Sequence, residues 1–396
     1  HAQMRVRLEP EQLRALLDDS VRLRLRADVP VGSCLSGGLD SSSIVATLRV
    51  QLGTPAAQQQ QTFTACSDVP RFDERNFADE VAQSAGVISH HVTPQPAGLL
   101  ASLSDLGWHQ DEPFGSTSIY AQWCVFQQAR QHGVTVMLDG QGADEALGGY
   151  HGYFAARQAG LLRRGEWSLA WQDAAAVRAR HHVSWRRQAQ FLADEMLPRS
   201  FRNGLRRLVG RTVSTPPFIN LQRLAAEPGF PLDHRADLRD PVRGLSIAQL
   251  TALNLPMLLH WEDRNSMAHG IEARLPFLDY RLVEFCLGLP ESYKLAFGET
   301  KRVLRESMKN RLPDRVRLRT DKLGFVTAEE NWMRGPHRSE FLRLVDDSIE
   351  AADGILTPAL RTRARRMLAG EEPFHFVLWR CISFGVWLRR FRVAAS

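Results

Sequence analysis

The sequence predicts an α/β protein: a parallel, doubly wound sheet over residues 1–150, continued by a mainly α-helical part over residues 151–396. Three observations carry this expectation. Through the first part, short apolar runs of strand length alternate with amphipathic runs of helical period, the pattern of strands joined by crossover helices. Two glycine-rich polar corners, "SGGLDSS" at 36–42 and "DGQGADEALGGY" at 139–150, each stand where a strand-like run meets a helix-like one. Beyond Tyr150 the texture changes to long Arg- and Trp-rich helical segments.

Taken in order, "EPEQLRALLDDSVRLRL" puts Leu13, Leu16, Leu17 and Val21 on one helical stripe and leads into a strand ending at Leu35. After the first corner, Ile44, Val45 and Leu48 recur at helical spacing. "QTFTACS" is the next strand, "DERNFADEVAQSAG" an amphipathic helix ending at Gly86, and "VISHHVT" a further strand. "SIYAQWCVFQQARQHG" is a helix with a Gly133 cap, followed by the strand "VTVMLDG", which stops at Asp139 and Gly140. In the second part, "AAEPGFPLDHRADLRDPVRG" reads as a loop. The tail "FHFVLWRCISFGVWLRRF" reads as a helix packed on the core, too charged to span a membrane. No internal repeat or low-complexity tract interrupts the pattern.

Composition bounds the function classes. A chain of 396 residues, 44% of them hydrophobic, can bury a substantial core. The net charge of +6 admits acidic substrates or nucleic acid, but the excess is arginine spread over helical faces that water solvates. Five cysteines, Cys34, Cys66, Cys124, Cys286 and Cys381, are scattered without a C-x-x-C pair, which argues against zinc and disulfides and for a reducing cytoplasm. No apolar run of about 18 residues and no leader-like apolar stretch is evident, so no membrane is expected. The chain opens on His1 rather than Met, as expected of a piece of a longer protein or of a chain that carries an added terminal remnant.

The first corner is suited to an anion. Glycines let the backbone approach a ligand closely, and the first turn of a helix offers unpaired N–H groups at its positive dipole end. Ser36, Gly37, Gly38, Ser41 and Ser42 therefore form a candidate phosphate cradle. The second corner repeats the logic with an acidic pair. Asp40 and Asp144, from two strand ends, can share a magnesium ion, whose remaining ligands are usually waters and substrate phosphates. The alternative, that Asp144 and Glu145 merely cap a helix, stays open at this point.

"SGGLDSS" resembles the pyrophosphatase loop of the PP-loop ATP-pyrophosphatase superfamily. Together with "DGQGADEALGGY", "MAHGIEARLPFLD" and "RTDKLGF", in that order, it resembles the synthetase domain of glutamine-hydrolysing asparagine synthetases over nearly the whole chain. The resemblance implies ATP and magnesium, and a reaction in which a carboxylate displaces pyrophosphate from ATP and an amine then displaces AMP. It implies that Leu35 and Ala65 line the adenosine and that Asp139 and Gly140 face the nucleotide. It further implies that Lys322 is the catalytic lysine, with Lys301 a second basic position unless it is a solvated helix end. Asp263, Glu272, Arg274 and Asp279 either shape the acceptor pocket or form structural ion pairs.

Two departures narrow the expectation. The resemblance implies Ser and Glu where this chain has Asp139 and Gln141, the glutamate assisting proton removal from the attacking nitrogen. Gln141 cannot act as a base, so another group such as Glu262 or Asp263, a basic group on the substrate, or water must take the proton. This favours an asparagine-synthetase-like amide ligase with a changed nucleophile or substrate, for example a β-lactam- or lasso-peptide-forming cyclase. Secondly, the family's glutaminase domain is not in this sequence, so a separate glutaminase or free ammonium is the expected nitrogen source for any asparagine-type activity. The expected partner is a small-molecule or peptide carboxylate, with no membrane and no nucleic acid. Two alternatives stand beside this. One is a tRNA-modifying PP-loop enzyme, prompted by "LLRRGEW", "HHVSWRRQ" and "RSFRNGLRRLVGR". The other is a catalytically silent ATP-binding protein, prompted by Gln141 alone.

Overall fold

The computed structural model describes residues 2–197, 216–223, 239–321 and 326–393. Five parallel strands form one sheet: β1 (Val31–Cys34), β2 (Gln61–Ala65), β3 (Ile88–Val92), β4 (Val136–Leu138) and β5 (Glu272–Arg274). Their order is β3-β2-β1-β4-β5. The chain therefore winds outward from β1 in one direction and from β4 in the other, leaving a switch point between those two strands. Ligands of open parallel sheets gather beyond the carboxyl ends of the strands at such a point.

Helices cover both faces. α1 (Ala2–Arg24) buries Leu13, Leu17 and Val21 completely, the spacing of four placing them on one stripe. α2 (Leu39–Ala57), broken at Gly53, buries Ile44, Val45 and Leu48 beside them. α3 (Arg75–Ala85) ends at Gly86 in the left-handed conformation, as the sequence predicts. α4 (Pro96–Gln110), which the sequence reading passed over, begins with Pro96 at its first turn. α5 (Ser118–Gln131) packs Val125, Phe126 and Ala129 against Phe63 and Met137 of the sheet. α6 (Ala143–Leu147) is a short helix inside the second corner.

The second part of the chain is not purely helical. It supplies β5, the edge strand beside β4, and a small antiparallel pair, β6 (Leu295–Ala296) and β7 (Glu299–Thr300). The segment 225–244 expected as a loop is helical at its end, because Asp240 caps helix Pro241–Thr251 and Pro241 opens it; residues 225–238 lie outside the described residues. Against the expectation that the chain holds no apolar run of that length, Pro241–Ala268 is long and apolar enough to cross a membrane by length and composition. It is split near Ala252 and Leu253 into helices Pro241–Thr251 and Asn254–Ala268. The tail forms helix Val377–Phe391, with Leu378, Trp379 and Ile382 buried in a second core beside α4 and α5.

That second core carries a buried carboxyl. Glu329 accepts hydrogen bonds from the Thr117 amide at 3.2 Å and its hydroxyl at 3.0 Å, while burial pushes its pKa up to about 7. A carboxyl raised in the folded state holds a proton there that the unfolded chain releases near 4.5, so stability is full below pH 4.5 and falls as pH rises towards 7. We expect a loss of about 3 kcal/mol across that window from this group. Glu329→Gln should flatten the slope in unfolding titrations at several pH values; an unchanged slope would assign it elsewhere.

Candidate active site

The two glycine-rich corners meet at the switch point. β1 feeds the Ser36–Ser42 loop, β4 feeds Asp139–Gln141, and both border one cavity of about 460 Å³. Ser36, Gly38, Asp40 and Ser41 line it from the first corner, and Asp139, Gly140, Gln141 and Asp144 from the second. The Ser41 hydroxyl accepts from the Ser36 amide at 3.1 Å and lies 3.0 Å from the Ser36 hydroxyl, which fixes the loop's curvature. Gly37 sits at φ 72°, and a side chain there would strike the Ala78 amide nitrogen and Phe77 of α3 at 2.7 Å. Its contribution is the turn, since it does not line the cavity.

Lys301 ties the corners together. Its ammonium lies 2.7 Å from Asp40 Oδ1 and 2.6 Å from Asp144 Oδ1, with only 4% of its side chain exposed. Burial pulls its pKa down, and the two carboxylates more than offset that, so the group stays an ammonium. It is not a solvated helix end. Two glycines make the approach possible. A side-chain carbon at Gly140 would stand 3.0 Å from Asp40 and the Ser41 amide, and one at Gly149 would overlap Asp144 Oδ1 at 1.7 Å. Gly149→Ala must therefore push Asp144 off Lys301. We expect a destabilisation of about 1–3 kcal/mol and a site that no longer holds its geometry, measured by unfolding and by nucleotide turnover side by side.

Asp40 and Asp144 fit magnesium by donor chemistry, being two hard carboxylates on one cavity. Among the described residues no cluster of three or more His, Cys, Asp or Glu stands ready as a complete metal shell. Any further ligands would come from phosphates and water.

A second acidic group lies on the sheet side. Burial raises the Asp139 carboxyl, against the Gly140 amide and the Cys34 thiol, which favour its charge. Glu262, on helix Asn254–Ala268, is 1% exposed. Burial holds its pKa well above the usual carboxylate range, the nearby Asp139 charge adds to that, and the Gln141 amide opposes it. Neither Glu262 oxygen has a partner in full hydrogen-bond geometry. Asp263, the neighbouring candidate, is exposed to solvent.

The remaining predicted residues divide. Ala65 lines a smaller cavity of about 60 Å³ that shares Ser36 and Glu74 with the large one. Leu35 is 1% exposed and lines neither cavity; its carbonyl accepts from the Thr64 hydroxyl at 2.6 Å. Ser42 is fully buried and lines neither. Lys322 lies outside the described residues. Glu272 and Arg274 pair with each other at 2.8 Å, and Asp279 pairs with Arg281 and Arg24, its carboxyl lowered to about 2 chiefly by the Arg281 hydrogen bonds. These are ion pairs away from the cavity.

Sequence reasoning missed Tyr150, Arg305 and Arg319, which also border the large cavity. Tyr150 donates to the buried Glu145, a carboxyl that burial raises. Arg305 donates to the Thr300 carbonyl at 2.8 Å, and Arg319 pairs with Glu74 at 2.6 Å while stacking 3.9 Å above Phe77. Tyr150 closes the quoted "DGQGADEALGGY" and Arg319 opens the quoted "RTDKLGF", but neither was singled out within its motif; Arg305 carries no local signal that separates it from the chain's many other arginines.

A family model described as asparagine synthase matches residues 12–389. A Mycobacterium tuberculosis H37Rv protein provisionally named a glutamine-hydrolysing asparagine synthetase is 28% identical over 95% of this chain and 57% of its own length. Asparagine synthetase [glutamine-hydrolyzing] 1 of Bacillus subtilis is 26% identical over 85% of this chain and 52% of its own. A Gibberella zeae protein named amidase chry2 is 25% identical over 85% and 54%. The chain thus spans little more than half the length of these relatives.

Proposed function

The chain belongs to the asparagine synthase family, and from that premise we propose that it is an ATP-dependent amide ligase that forms AMP and pyrophosphate. A substrate carboxylate oxygen attacks the α-phosphorus of ATP, the bond from that phosphorus to the bridging oxygen breaks, and pyrophosphate leaves. An amine or ammonia then attacks the acyl carbon, gives up a proton, and AMP departs. The observation that carries this reading is the convergence of Asp40, Asp144 and Lys301, distant in sequence, on one switch-point cavity.

The departing pyrophosphate concentrates negative charge, so the site must supply positive ends where it grows. Ser36, Gly38 and Ser41 offer hydroxyls and helix-terminal amides, and Lys301 and Arg305 offer cations beside them. Asp40 and Asp144 would hold magnesium, which neutralises phosphate charge when bound. Lys322 is the catalytic lysine that the resemblance implies, its point charge suited to the leaving pyrophosphate or to a developing oxyanion. Glu262 is the proton acceptor for the attacking nitrogen, because it stands beside Gln141, where a base is missing. Gln141 also favours the cyclase form of this chemistry, in which the amine belongs to the substrate.

ATP–pyrophosphate exchange over a panel of carboxylates, including aspartate and peptides, tests the proposal before the nucleophile is known. We expect exchange that depends on one class of acid. Carboxylate-independent behaviour across the panel would remove the ligase reading. With ammonium as nitrogen donor, adding glutamine to this chain should change nothing.

A further inference from the structure

We infer that the acid this chain activates is apolar around its carboxylate, an alkyl or aryl acid or a peptide carrying such a group; this rests on the ligase reading above. Helix Asn254–Ala268 runs along the large cavity; Asn254 at its start and then Met257, Leu258 and Trp261, at spacings of three and four, face it. Ile119 and Val125 of α5 border the same cavity. Met257 is 44% exposed, a large apolar side chain left uncovered at an opening. A flexible thioether beside an indole is a surface that adapts to apolar groups of differing shape.

The charges say the same from the other direction. A substrate recognised through a second carboxylate needs a cation or a set of N–H donors, since an unpaired charge in such a cavity is costly. The cations that border the cavity among the described residues are Lys301, Arg305 and Arg319. Lys301 is held by Asp40 and Asp144, Arg305 donates to the Thr300 and Arg317 carbonyls, and Arg319 pairs with Glu74 and Asp321. None of them belongs to helix Asn254–Ala268. That helix's own cation, Arg264, pairs with Asp111 at 3.4 Å, and His260 is engaged by the Gln110 carbonyl at 2.8 Å. The neutral amides of Gln122, Gln141 and Asn254 also line the cavity, but no uncommitted cation does, and the wall formed by Met257, Leu258 and Trp261 therefore selects by shape.

The test is pyrophosphate exchange with aspartate, glutamate, a medium-chain alkyl acid, an arylacetic acid and a peptide with an aromatic residue next to its free carboxylate. We expect kcat/KM for the apolar acids to exceed that for aspartate at least tenfold, the free acids and the peptide showing which source the site takes. Trp261→Ala should raise KM for the preferred acid about tenfold while KM for ATP stays put. Met257→Arg, at an exposed position that tolerates a long side chain, should narrow the gap in favour of aspartate. Fastest exchange with aspartate, or an unmoved KM for acid in both variants, would overturn the inference and leave the ligase reading standing. Exchange with no acid of the panel would overturn both.

Discussion

Replacing Asp40 or Asp144 by Asn is expected to lower pyrophosphate exchange by at least about a hundredfold while leaving the fold in place. Each substitution keeps the shape of the side chain and removes one negative charge from a site where a buried ammonium is balanced by two. With one carboxylate left, Lys301 is neutralised and no full charge remains to hold a divalent ion against the phosphates. The folded state loses one ion-pair contact but gains no uncompensated anion, so unfolding curves should move little. Lys301→Met is the contrasting variant. It leaves two half-buried carboxylates facing each other without their ammonium, a destabilising change, though smaller than the about 3–5 kcal/mol of a fully buried pair broken from one side. The expected pattern is inactive but stable for the Asn variants, and inactive and destabilised for Lys301→Met. Near-normal exchange in both Asn variants would sink the assignment.

Much of this site was legible because its signals are local. Glycines, serines and an aspartate between a strand and a helix mark a corner whatever surrounds it, and Leu13, Leu17 and Val21 mark a buried stripe by spacing alone. Long-range placement was not legible. Nothing in the sequence says that β4 lies beside β1, yet that adjacency brings Asp144 to Asp40. β5 has three residues, two of them charged, and no alternation to betray it; it exists because it hydrogen-bonds to β4 at the sheet edge. Only the resemblance singled out Lys301; nothing in its local sequence says that two carboxylates 261 and 157 residues upstream enclose it. Glu74 and Arg319 pair for the same reason, across a distance in sequence that periodicity does not span.

Glu262→Gln is expected to separate the two half-reactions: exchange persists, while amide formation falls by about a hundredfold or more. Adenylation needs no proton acceptor, because the attacking carboxylate is already ionised. The second step does, since an amine that attacks the acyl carbon must lose a proton before AMP leaves. Glu262 is the proposed acceptor of that proton: it borders neither cavity itself but lies against Gln141, which does. It is buried beside Gln141, at the position where the resemblance led us to expect a base, and its raised pKa brings its basicity closer to that of an amine than an ordinary carboxylate's. Glutamine in its place keeps the volume and the capacity to hydrogen-bond, so a merely structural Glu262 would let both half-reactions continue. Gln141→Glu tests the same geometry from the other side. A new carboxylate next to Glu262 supplies the missing base for free ammonia, and we expect some gain of ammonium-dependent amidation. The like charge should also raise the Glu262 carboxyl further, moving the pH profile of amide formation upward. Aspartate converted efficiently to asparagine by the unmodified chain, or amide formation untouched in Glu262→Gln, would show that the proton leaves by another route.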